Sequence, residues 1–249
     1  MKKIMLIASA LFLSVVFIGC FFTGKQETAQ QTIRLYQQDI ASLNREVALL
    51  VQLIDANATP EQIQKQFKEA RKAYKKIEWL AEYYNPYTVK YINGAALEEV
   101  EADEKNVVIQ PEGFLVLEEL LFPIPNVAQK EELLHQAKVL QSNTGRLQQV
   151  ASNLQTTDAH IFDALRLEVF RILTLGISGF DSPIAHHSLP EALSSLEGMQ
   201  TYFEIYEEQL QRIHYCSKKS IAYSYIHKSF YLAIMILTLS TVWHLLQNV

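Results

Sequence analysis

Between Gln30 and Ile54 the apolar residues Ile33, Tyr36, Ile40, Leu43, Val47, Leu50 and Ile54 recur at steps of three and four, the spacing of one stripe along an α-helix. The stripe breaks at Asn57-Ala58-Thr59-Pro60-Glu61 and resumes at Ile63, Phe67, Ala70, Tyr74, Ile77, Ala81 and Tyr84. Thr59 stands where an N-cap belongs, and Pro60 takes the first helical position, where its missing N–H costs nothing. The two stripes therefore predict two long antiparallel helices joined by a short turn. With only eight Gly and seven Pro in 249 residues, the composition is that of a globular chain of one or two compact units.

Asn85-Pro86 should stop the second helix. Residues 87–110, with Asn93-Gly94, an acidic run from Glu98 to Glu104 and the apolar stretch Val107-Val108-Ile109, read as an irregular loop. A loop that long usually serves a substrate or a partner. A short helix is expected from Glu112 to Phe122, closed by Pro123 and Pro125, and another along Leu133, Ala137, Leu140, Leu147, Val150 and Leu154. Thr157-Asp158 opens a helix through Ile161, Leu165, Val169 and Ile172 that ends near Gly176 and Gly179. Ser188-Leu189-Pro190-Glu191 opens the last, through Leu193, Leu196, Phe203, Tyr206, Leu210 and Ile213. No β-alternation or hairpin turn interrupts this series, so the expected class is all-α, an antiparallel helical bundle over residues 32–214.

The formal charge of −5, with no Lys/Arg cluster interleaved with aromatics, argues against nucleic acid as a partner. At the N-terminus, Met1-Lys2-Lys3, an apolar run from Ile4 to Ile18, and Gly19-Cys20 make a charged region, a hydrophobic region and a small residue before a cysteine. This resembles a bacterial lipoprotein signal. The resemblance implies a signal peptide over residues 1–19, lipid attachment at Cys20, a linker over residues 20–31, and a body in the cell envelope, facing the periplasm or the surface. An uncleaved membrane anchor is the other reading, and it too places the body outside the cytoplasm. The second cysteine is Cys216, so neither a disulfide framework nor a Cys-x-x-Cys-His haem motif is present in the sequence.

Carboxylates on facing helices can hold a metal inside a bundle, and Glu78, Glu82, Glu118 and Glu119, with Arg71, are the candidates. Without histidines at matching spacing, solvated faces or helix pairs are the simpler account. Asp163, Arg166, Glu168 and Arg171 share one helix and predict ion pairs that hold helices in register. His186-His187 is the one adjacent histidine pair, and on a helix its two rings would point about 100° apart, poor geometry for a shared metal. A surface or capping role beside Asp181-Ser182-Pro183 is expected.

Several segments together are similar to one family. They are Phe67 to Glu78 (FKEARKAYKKIE), Tyr83-Tyr84-Asn85-Pro86, Ile92-Asn93-Gly94, Pro111-Glu112-Gly113-Phe114, Glu118 to Pro123, Phe162 to Arg171 (FDALRLEVFR) and Gly176 to Pro183 (GISGFDSP). The family is the imelysin-like helical region found at the N-terminus of certain long bacterial di-haem cytochrome c peroxidases, and the likeness runs from about Ile33 to Ile213. Imelysins carry Gly-x-His-x-x-Glu; this chain keeps Gly113 and Glu118 but has Leu115 at the histidine position. Leucine cannot ligate a metal, which leaves Glu118 as a weak candidate and implies neither a catalytic nor a cofactor-binding residue. In the peroxidases, haem c belongs to later domains.

Past about Tyr215 the likeness stops. Residues 215–249 hold an apolar run from Ser229 to Trp243, long enough for a borderline membrane segment, yet its flanking Arg212, Lys218, Lys219 and Lys228 would place that flank in the cytoplasm. Read from the third base of each codon, the stretch Met235–Leu246 permits Phe-Asp-Arg-Met-Ala-Phe-Ile, which resembles the peroxidase continuation. A frameshift product is thus one expectation for the tail and a membrane segment the other. For the whole chain, the resemblance implies a non-catalytic, lipid-anchored scaffold that partners haem domains or an electron-transfer protein. The alternative is a stand-alone surface lipoprotein binding iron, haem or a partner protein.

Overall fold

The computed structural model describes residues 2–100, 108–124 and 129–216, with side chains over residues 28–207 of these. Of the tail expected at 215–249, residues 217–249 lie outside the described residues, and so do the side chains of Cys20 and Cys216. The chain is all-α in its architecture. Helix α1 spans Lys2–Asp55, α2 Pro60–Tyr84, α3 Pro86–Asn93, α4 Phe114–Leu121, α5 Lys130–Ala151, α6 Asp158–Arg171 and α7 Ser188–Cys216. A π-helical turn, Ile172–Gly176, follows α6 directly. Among the described residues, no helix is long and apolar enough to cross a membrane.

The α1 stripe is buried from Ile33 to Ile54, and the α2 stripe from Ile63 to Ala81. Burying each Leu or Ile contributes about 1.5–3 kcal/mol, so these two rows are the main cohesive element. The turn between them is fixed by a capping box: Thr59 Oγ1 accepts from the Gln62 N–H, and Gln62 Oε1 accepts from the Thr59 N–H at 3.0 Å. The first helix begins well before Gln30, and residues 20–31, expected as a linker, are helical backbone.

Helix α2 lies at the centre, with α1, α4, α6 and α7 packed on it, while α5 covers the far side of α1. The Asn44–Gln148 and Gln37–Ala151 hydrogen bonds set α5 antiparallel to α1. Contacts of Tyr84 with His160 and of Glu78 with Arg171 likewise set α6 antiparallel to α2. Helix α7 instead runs parallel to α2, because Arg71 meets Glu191, Gly198 meets Lys76, and Trp79 meets Tyr202. The α6 return and the loop after it make that possible.

Three expectations need correction. Residues 87–110 are not wholly irregular: Pro86 both ends α2 and opens α3, and a minimal antiparallel ladder pairs β1 (Glu99–Val100) with β2 (Val108–Ile109). Two residues per strand are too few to show an alternating pattern. Val150 and Leu193, assigned to apolar stripes, are exposed at 43% and 46%, Val150 at the edge of the buried face of α5 and Leu193 on the solvent stripe of α7 with Glu197, Gln200 and Glu204. Finally, Arg71, Glu78 and Glu118, expected on solvated faces or in helix pairs, are buried to 1% exposure or less, and of the three Glu78 does pair along its helix, with Lys75. The solvated side of α2 is left to residues such as Lys65 and Lys76, while neighbouring elements cover Arg71 and Glu78, and the loop 177–187 covers Glu118 on α4.

Candidate functional site: a buried ion-pair cluster

The charges of α2 face inward because α7, α6 and the loop 177–187 close over them. Arg71 and Glu191 form a forked pair, with Nε donating to Oε1 at 2.9 Å and Nη2 to Oε2 at 2.5 Å. Nη2 also donates to the Asp181 carbonyl at 2.6 Å, and Nη1 to Asn93 Oδ1. Two bonds in one plane fix both distance and orientation, so Arg71 ties α2 to the start of α7 and to the end of α3. One turn on, Lys75 Nζ donates to Glu78 Oε2 at 2.7 Å and lies 2.9 Å from Asp181 Oδ2. Arg171, at the end of α6, reaches Glu82 at 2.5 Å and Glu78 at 3.5 Å.

Glu118 on α4 anchors the same loop. Its Oε1 accepts from Ser182 Oγ at 3.0 Å and from the Ile184 and Ala185 backbone N–H groups at 2.9 and 2.7 Å. Gly113, ahead of α4, has φ +98°, and a Cβ there would stand 2.4 Å from the Ile92 carbonyl oxygen, so α3 and α4 meet too closely for any side chain.

Burial acts against every charge in the cluster, and partners decide each outcome. Desolvation would raise the Glu191 carboxyl, but Arg71, His187 and Lys75 together more than offset it and hold the group at about 2. Desolvation opposes the charge on Lys75, which Glu78 and Asp181 restore. Glu78 is likewise held below the usual carboxylate range, mainly by Lys75 and Arg171 against its burial. Glu168 goes the other way: burial, then the neighbouring Glu78, push it well above that range.

The residues singled out in the sequence thus separate into two groups. Arg71, Glu78, Glu82, Glu118, Glu168 and Arg171 converge on the cluster, whereas Glu119 is exposed. Asp163 and Arg166 pair at 2.6 Å on the surface, the helix pair expected of them. His186 is exposed at φ 53°, and the His187 N–H donates to Ser182 Oγ at 3.1 Å, beside Asp181 and Ser182 as expected. Lys75, Asn93 and Glu191 were missed as members. The usable signal was that Lys75 lies one turn from both Arg71 and Glu78.

The residues of the cluster do not form a haem or metal site. A c-type haem is attached through a Cys-x-x-Cys-His motif, which the sequence lacks. Glu118 has one oxygen engaged by three donors, Leu115 is no ligand, and among the described residues no group of three or more His, Cys, Asp or Glu is arranged to hold a metal. A separate open groove of about 260 Å³ lies between α1, α2 and α7, lined by Asp39, Glu46, Lys72, Lys76 and Glu197 among others, and its mixture of signs selects no single ligand charge. No protein-family model matches the chain, and no curated protein matches it either.

Proposed function

We propose that this chain is the non-catalytic helical N-terminal part of an exported, cytochrome c peroxidase-like protein, a scaffold or docking domain for haem modules encoded with it and held at the membrane by lipid on Cys20. What supports the reading is where the resembling segments meet. Arg71, Lys75 and Glu78 come from one, Asn93 from a second, Gly113 from a third, Glu118 from a fourth, Glu168 and Arg171 from a fifth, and Asp181 and Ser182 from a sixth. Residues shared with the family for the sake of a scaffold should hold one another, and these do. Residues shared for catalysis would face a substrate space.

Sequencing the gene through the codons for Arg212 to Val249 and beyond tests it. An open shifted frame that runs into Cys-x-x-Cys-His motifs is the expected result. A genuine stop with no haem motif downstream would overturn it in favour of a surface lipoprotein that binds iron, haem or a partner. Iron or haem binding by the purified chain, abolished by Glu118→Ala, would point the same way.

A further inference from the structure

The cluster brings three cations, Arg71, Lys75 and Arg171, together with six carboxyl groups, Glu78, Glu82, Glu118, Glu168, Asp181 and Glu191. Two backbone N–H groups and Ser182 compensate Glu118, and direct ion pairs hold Glu78, Glu82, Asp181 and Glu191. Glu168 is the least provided for, with one long ion pair and no hydrogen bond. It is 1% exposed, neither of its carboxyl oxygens has a hydrogen-bond partner, and its nearest cation, Arg171 Nε, stands 3.7 Å away, beyond hydrogen-bond reach. The Tyr74 hydroxyl, also buried and without a partner, belongs to the same surroundings.

We propose that Glu168 is the proton-binding member of the cluster, a neutral carboxylic acid between α6 and α2 whose ionisation as the pH rises loosens the grip of α6 on α2. A buried carboxylate whose oxygens accept no hydrogen bond costs several kcal/mol, and a group in that position keeps its proton instead. Burial is the main obstacle to its ionisation, and the groups that face it carry both signs. From α2 come Glu78, Lys75, Tyr74 and Glu82, from its own helix Arg171, and from the loop before α7 Asp181. The cations Lys75 and Arg171 are already shared with Glu78, Asp181 and Glu82.

The folded state binds a proton here that the unfolded chain has released above the ordinary carboxylate range. Stability from Glu168 is therefore complete below that range and falls as the pH rises toward the folded-state value. The device is latched in acid and eased in alkali, opposite to the Arg71–Glu191 pair.

Thermal unfolding of the full-length chain and its Glu168→Gln variant from pH 5 to pH 9 tests this. Glutamine keeps the neutral shape, so the wild-type Tm should fall relative to the variant by about 3–5 °C per pH unit over the lower part of that range. Parallel curves would overturn the proposal. Should the variant fail to fold, the 13C carboxyl shift of wild-type Glu168 decides it: ionisation above the ordinary carboxylate range supports the proposal, and ionisation within or below that range refutes it.

Discussion

The α1–α2 hairpin and the cluster where α2 meets α6, α7 and the loop 177–187 are held by different physics. In the hairpin, cohesion is non-directional and spread over many side chains from Ile33 to Ala81. In the cluster it is concentrated in a few forked and charge-assisted bonds, most of them spanning two elements. Apolar rows tolerate a small change in shape. A buried ion pair that loses one member leaves an uncompensated charge, so the polar region should be the more brittle of the two.

The sharpest contrast is expected from Arg71→Met, which strands Glu191 and should lower stability in urea by about 3–5 kcal/mol. Leu43→Ala in the apolar row should cost about 2–5 kcal/mol, with the surrounding side chains relaxing around it. Acid should separate the regions as well. Because Glu191 is held at about 2, its stabilisation is complete above the ordinary carboxylate range and is lost as the pH falls from there toward 2. Hydrogen exchange should then speed up at the start of α7 before it does in α1; simultaneous loss would erase the distinction. Gly198→Ala probes the join between α7 and α2: its Cβ would lie 2.8 Å from the Lys76 Cα and carbonyl oxygen, and the forced separation should cost about 1–3 kcal/mol by the same urea measurement. At the small end, Arg166→Ala removes an exposed pair with Asp163 and should leave the Tm unchanged.

The same contrast explains what could be read from the sequence. Apolar periodicity located α1, α2 and α5 to α7 because one buried stripe per helix is a local property that spacing reports directly. It misplaced Arg71 and Glu78, since α2 is covered on several sides and only the tertiary arrangement says so. Asn93 and Glu191 sit 22 and 120 positions from Arg71, a partnership no local pattern encodes. The family resemblance did gather most of these residues, by picking the segments that meet, without saying that they meet. The parallel run of α7 beside α2 and the π turn after Arg171 left no signal in the apolar spacing, the first depending on how the chain returns and the second on a change of backbone winding.

That the cluster is a structural lock is the claim on which the account rests, and a double-mutant cycle tests it most directly. Urea unfolding would be measured for Arg71→Met, Glu191→Met and the double variant. The account predicts that the double variant is more stable than either single one, since removing both charges leaves neither stranded. Additive losses, with the double variant the least stable of all, would contradict it.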